Sequence, residues 1–178
     1  MKKAVTSAHL TRRKPMADMH IQPGHGDVVL EVLKHQGLQV RTSMKMETPE
    51  LPIDITEIGD EDLMLLFSKL TAYNNFLSTQ FACAMIDERD AERSLDYEEG
   101  VAFLQSYAGK TSLASLVKAH VATNPKVVEL KEIHSARYNY RKLLEVMVNN
   151  VERDTALVSR ELTRRTSGMR NRSDRMFP

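Results

Sequence analysis

The chain has 178 residues, 42% hydrophobic and 28% charged, with a formal net charge of +1, which suits one modest globular domain. A single cysteine, Cys83, rules out an internal disulfide, and 7 glycines with no tryptophan argue against strand-and-turn architectures. The near-neutral balance excludes a globally basic nucleic-acid binder, and no apolar run approaches the ~20 residues that span a bilayer.

The start, MKKAVTSAHLTRRKP, carries basic residues with no apolar segment behind them. It does not read as a secretory leader, and with the lone cysteine this sets the expectation of a reducing cytoplasm. Residues 1–52 hold scattered Pro15, Pro23, Gly24, Gly26 and Gly37 and little periodicity, so they are expected to form an irregular N-terminal arm. Within them Val28 to Leu33 fits a short helix or a strand equally well. Lys2, Lys3, Arg12, Arg13 and Lys14 make the arm basic, and residues 47–62 that follow contain no Lys or Arg. A contact between the basic arm and this acidic patch is open to the chain.

A helix start is written at Gly59-Asp60-Glu61-Asp62, where acids satisfy orphan amides and oppose the helix dipole. From there Leu63, Phe67, Leu70, Asn74, Leu77, Phe81, Ala84, Glu88, Ala91 and Leu95 alternate by four and three, the seam of a helix that meets another helix. No proline interrupts before Pro125, so the helix is expected to run towards Tyr107, with Gly100 as a place for a break. Ala108-Gly109-Lys110-Thr111-Ser112 reads as its end, followed by a short helix through Leu113, Leu116 and Val117. Asn124-Pro125 marks the next start, since proline suits the first helical position. Val128, Ile133, Ala136, Tyr140, Leu143, Leu144, Met147, Val151, Leu157, Val158 and Leu162 continue on one side, uninterrupted until Gly168. At ~1.5 Å per residue this second rod is roughly 60 Å long. The expected fold is therefore all-α: two long antiparallel helices over residues 53–168, a short linker helix, the arm before them and a basic tail over 169–178. Leu66, Tyr73, Leu144 and Val148 flank this seam as surplus apolar positions, which self-association would cover.

Each candidate chemistry has a plainer reading beside it. Gly109-Lys110-Thr111 resembles the end of a P-loop, but the pattern needs glycine where Leu104 stands, and no strand precedes it. His20, His25 and His35, with Asp27, have no zinc-knuckle or helix-face spacing and read as polar loop residues, so no metal or cofactor is expected. His120 and His134 read as solvent-facing. Asp87, Glu88, Asp90 and Glu92 interleave with Arg89 and Arg93, the pattern of an ion-paired helix face on which Asp90 reaches the second rod. Cys83 reads as a packed thiol. No nucleophile-and-base spacing suggests an enzyme.

The C-terminal region is the most asymmetric. After Lys142 every basic residue is an arginine, and Arg160 and Arg164 share a helix face. Two readings stand: a phosphate-binding cluster, or cations that complement the helix dipole and aid solubility, with Glu161 pairing Arg165. Tyr138 and Tyr140 suit base stacking, although Tyr140 lies on the apolar stripe and reads as core.

The segment from Leu51 to Met64, the helix through Tyr73 and Phe76, and Ser159-Arg160-Glu161-Leu162-Thr163-Arg164-Arg165 resemble small helical proteins of tailed bacteriophages. Among these the layout is similar to UvsY-type recombination mediators: a long helix, a Lys/Thr/Ser-rich linker and a second helix, over roughly residues 51–165. The Leu95-Asp96-Tyr97 triplet is similar to one in that family, while the basic residues expected before it are here Glu92, Arg93 and Ser94. The resemblance implies a non-catalytic homo-oligomer in the host cytoplasm. It would bind single-stranded DNA and help load a recombinase onto strands covered by single-strand-binding protein, with many weak basic patches adding up by avidity. Arg160, Arg164 and Arg165 are the residues expected to carry the contact, with Lys110 and Lys118 next; no membrane or small-molecule substrate is implied. Two alternatives remain: a virion or neck structural protein acting through protein–protein contacts, and a small regulator that clamps a host enzyme through the acidic patch.

Overall fold

A computed structural model describes residues 24–40, 48–108 and 114–173, the side chains of 108 and 169–173 excepted. The described residues form four helices and no strand: α1 His25–His35, α2 Asp60–Ala108, α3 Ala114–Thr123 and α4 Pro125–Ser173. The all-α hairpin expected from the sequence is the observed architecture. Val28 to Leu33 is helical, within α1. α2 passes Gly100 without a break, and α4 passes Gly168 and ends at Ser173. Among the described residues no helix is long and apolar enough to cross a membrane.

The ends of the helices follow from local chemistry. Asp60, Glu61 and Asp62 occupy the first turn of α2, where Leu63 N–H already donates to Gly59 O at 2.9 Å. Asn124 caps α4: its Oδ1 accepts from Lys126 N–H at 2.9 Å, and Pro125 takes the first helical position, where a missing N–H costs nothing. α1 ends on Gly37, whose φ of 78° lets Leu38 N–H turn back to Leu33 O at 3.0 Å.

α2 and α4 run antiparallel, pinned at the base by Asp60 with Arg165, in the middle by Glu88 with Arg141 and at the tip by Glu98 with Lys126. The lower core holds Leu63, Leu70, Tyr73, Leu77 and Ala84 from α2 against Leu144, Val148, Val151 and Val158 from α4, closed by Ile55 from the segment before α2. Each fully buried leucine, such as Leu63 or Leu70, contributes about 1.5–3 kcal/mol. At the other end Ala102, Val117 and Val127 are buried where α3 folds against the hairpin.

The phase of α4 differs from the sequence expectation. Val127, Leu130, His134, Arg137, Arg141, Leu144, Val148, Val151, Thr155, Val158, Leu162 and Arg165 are buried or half-buried and recur by three and four along the whole helix. That seam lies one residue, about 100°, from a second stripe of Ile133, Tyr140, Leu143, Met147 and Leu157, which stays exposed. Tyr73, Leu144 and Val148, expected to be surplus, are core residues, and Tyr140, expected in the core, is exposed.

Candidate functional site

The middle of the hairpin is polar. Arg137 meets Asp87 at 3.0 Å, and Arg141 pairs with Glu88 and with Glu145 at 3.1 Å, its guanidinium 5.2 Å over the Tyr138 ring. Arg137 with Asp87 and Arg141 with Glu88 cross between the helices here; Asp90, expected to reach the second rod, instead holds His25 Nδ1 at 2.9 Å and Arg93 on its own helix. The substitution of roles has a simple cause: Asp87 and Glu88 lie on the seam side of α2, whereas Asp90 is turned towards α1.

The same layer receives the start of α1. Asp87 Oδ1 accepts from Gly26 N–H at 2.9 Å, so a carboxylate of α2 caps α1, whose own residue Gly24 has no side chain to do so. The approach is close enough that a Cβ on Gly26 would lie 2.8 Å from Cys83 O and 2.9 Å from its Cα. Cys83 Sγ in turn faces Gly26 O at 3.8 Å, and burial first, then Asp27 and Asp87, pushes its thiol up, away from thiolate reactivity. Cys83 is therefore a packed thiol at a helix junction. Among the described residues no group of three or more His, Cys, Asp or Glu side chains is gathered as a metal site would require.

The residues expected to contact nucleic acid are not brought together. Arg160, Arg164 and Arg165 lie at the base end of α4, and Lys118 lies on α3 at the tip, roughly 50 Å away along the rod. Lys110 falls outside the described residues, as do Lys2, Lys3, Arg12, Arg13, Lys14, His20 and Glu47 of the basic arm and acidic patch.

Arg165 is not an open cation. Its side chain, 15% exposed, donates to Ile58 O at 2.7 Å, Ile55 O at 3.1 Å and Thr56 O at 3.0 Å, and meets Asp60 Oδ1 and Glu161 Oε1 at 2.7 Å. It fastens the segment before α2 to α4, so its five donors are spent on structure. Arg164 is 67% exposed but forks onto both oxygens of Glu161 at 2.7 Å. The two arginines, Arg164 first, hold the Glu161 carboxyl down at about 2. Arg160 is exposed and has no ion pair among the described residues.

The tip carries a different set of groups. Tyr97, 73% exposed, and Tyr107, 68% exposed, recur with Leu104 on one outer face of α2, and Phe103 stacks on Tyr107 with ring centres 6.2 Å apart. Ser106 Oγ and His120 Nδ1, 2.7 Å apart, tie α3 alongside. An open groove forms there, with Gly100, Phe103, Val121 and Ala122 as its apolar part and Asp96, Glu99, Lys118 and Lys131 as its charged part. Lys131 is paired with Glu99 at 2.7 Å. The sequence offers Tyr138 and Tyr140 for stacking, with Tyr140 reading as core, and does not single out Phe103 and Tyr107 for it. The signal for them was available: both fall out of phase with the seam of α2.

No protein-family model, curated protein or solved structure matches the chain.

Proposed function

We propose that this protein is a non-catalytic, self-associating accessory factor that binds single-stranded DNA, of the recombination-mediator kind its sequence resembles. The observation that carries the reading is the aromatic tip. Tyr97, Phe103 and Tyr107 stand exposed at one end of the hairpin, where Phe103 lines a groove with Lys118. Exposed rings leave apolar faces open to water, and unpaired bases stack on aromatic side chains for about 1–3 kcal/mol per base. A lysine at the rim supplies the phosphate contact. Arg160 and Arg164 at the far end are a lesser patch, since Glu161 already occupies Arg164.

The test is anisotropy of a labelled single-stranded oligonucleotide against the full chain over a salt series. Tyr97→Ala and Tyr107→Ala should each weaken binding by about 1–3 kcal/mol. Lys118→Ala should flatten the log–log salt dependence by about 0.7 per copy in contact. Absent binding, or binding indifferent to both tyrosines, overturns the reading.

A second reading, a structural or assembly protein acting through protein contacts alone, is supported by the exposed apolar stripe on α4. It expects self-association without any DNA affinity.

A further inference from the structure

We infer that a second copy of this chain packs antiparallel along the outer stripe of α4, about a two-fold axis near Glu145. The inference deepens the self-association in the reading above and rests on it.

Ile133, Ala136, Tyr140, Leu143, Met147, Asn150, Asp154 and Leu157 recur by four and three, the spacing of a coiled-coil seam. Leu143 is 66% exposed, and Val146 at the edge of the stripe is 56% exposed. The stripe lies about 100° around α4 from the buried seam that meets α2. A helix using two faces at that angle sits as helices do in a four-helix bundle, where each touches two neighbours.

The choice of occupant follows from charge and register. A parallel copy would set Asp154 directly against the partner's Asp154, like against like in an apolar seam. An antiparallel copy about Glu145 removes that clash. It places Leu143 on the partner's Met147, Ile133 on the partner's Leu157 and the small Ala136 on the partner's Asp154, so four of the eight positions pair apolar with apolar. Tyr140 then meets the partner's Asn150, a hydroxyl opposite an amide. On the flank, Glu132 comes opposite the partner's Arg160, and Val146 comes opposite its own copy. Glu132 and Arg160 are both exposed, and neither has an ion pair among the described residues. The surface is self-complementary in shape of pattern and in charge, which is what a two-fold contact requires. Arg160, expected from the sequence to meet phosphate, is thereby assigned to the contact between copies.

The experiment uses the full chain. Sedimentation should give a species of two copies, or a multiple of two. Leu143→Glu should lower the association constant more than about tenfold with helix content by circular dichroism unchanged, because Leu143 touches little within one chain. In a Cys83→Ser background, a short bismaleimide should link Val146→Cys to itself, and should link Glu132→Cys to Arg160→Cys but not Glu132→Cys to itself. A monomer at all concentrations, or an assembly that survives Leu143→Glu, overturns the contact. An assembly in which Glu132→Cys links to itself overturns the antiparallel register while leaving self-association standing. A monomer that still binds the oligonucleotide overturns the contact and leaves the DNA reading intact, so the two fail separately.

Discussion

Arg165 and Glu161 set the base of the hairpin, and their chemistry makes a pH prediction. The Glu161 carboxyl is depressed from an ordinary 4.5 to about 2 by hydrogen bonds from Arg164 and Arg165. A carboxyl lower in the folded than in the unfolded chain stabilises fully above the unfolded value, and that stability is lost as pH falls through the folded value. The thermal midpoint should therefore drop between about pH 4.5 and 2, and Glu161→Gln should remove that part of the slope while lowering the midpoint at neutral pH. Arg165→Ala should be worse than Arg164→Ala by thermal melting, since only Arg165 also holds the carbonyls of Ile55, Thr56 and Ile58. Asn74 makes the opposite case. Its Oδ1 is buried without a partner inside the seam, a cost of about 1–3 kcal/mol in desolvation. Asn74→Leu should raise the unfolding free energy by about 1 kcal/mol in denaturant melts; a loss of stability would show the amide to be needed.

At the scale of elements, α1 is held by its first turn and by the buried Leu30. Its first turn presses on Cys83 and borrows the Asp87 carboxylate as a cap, while Val28, Val29 and Val32 remain exposed. Gly26→Ala drives a Cβ into Cys83 backbone atoms and should weaken the docking of α1 by about 1–3 kcal/mol. Amide exchange should then quicken across α1 and leave α2 and α4 protected; unchanged exchange in α1 would contradict the close approach. The long helices show what the sequence makes legible. α2 was readable because Leu63, Leu70, Leu77 and Ala84 recur by sevens on one apolar face. α4 carries two stripes one residue apart, and over residues 133–157 the one richer in apolar residues, through Tyr140, Leu143 and Met147, is the exposed one. The buried stripe contains Arg137 and Arg141, whose place in a seam depends on Asp87 and Glu88 facing them across the hairpin, and Thr155, whose hydroxyl turns back to Val151 O. Periodicity of hydrophobic residues has no means of finding that. Arg165 was hidden for a related reason: the carbonyls it binds lie more than a hundred positions earlier, so in sequence it is one arginine among several.

The described residues of the molecule form a rod with an apolar lower core, a polar waist where α1 docks, and a small apolar tip under α3. Its candidate binding groups sit at opposite ends. The paired arginines of the base hold the segment before α2 to α4, and the rings of the tip are exposed. An assembly of such rods would present several tips at once, and weak individual contacts would add through a shared scaffold. The measurement that bears most directly on this is the light-scattering mass of the full chain, alone and with a single-stranded oligonucleotide. The account predicts a mass above one protomer that rises by bound oligonucleotide, with the rise reduced by Tyr107→Ala at moderate salt. A single-protomer mass unchanged by the oligonucleotide would contradict it.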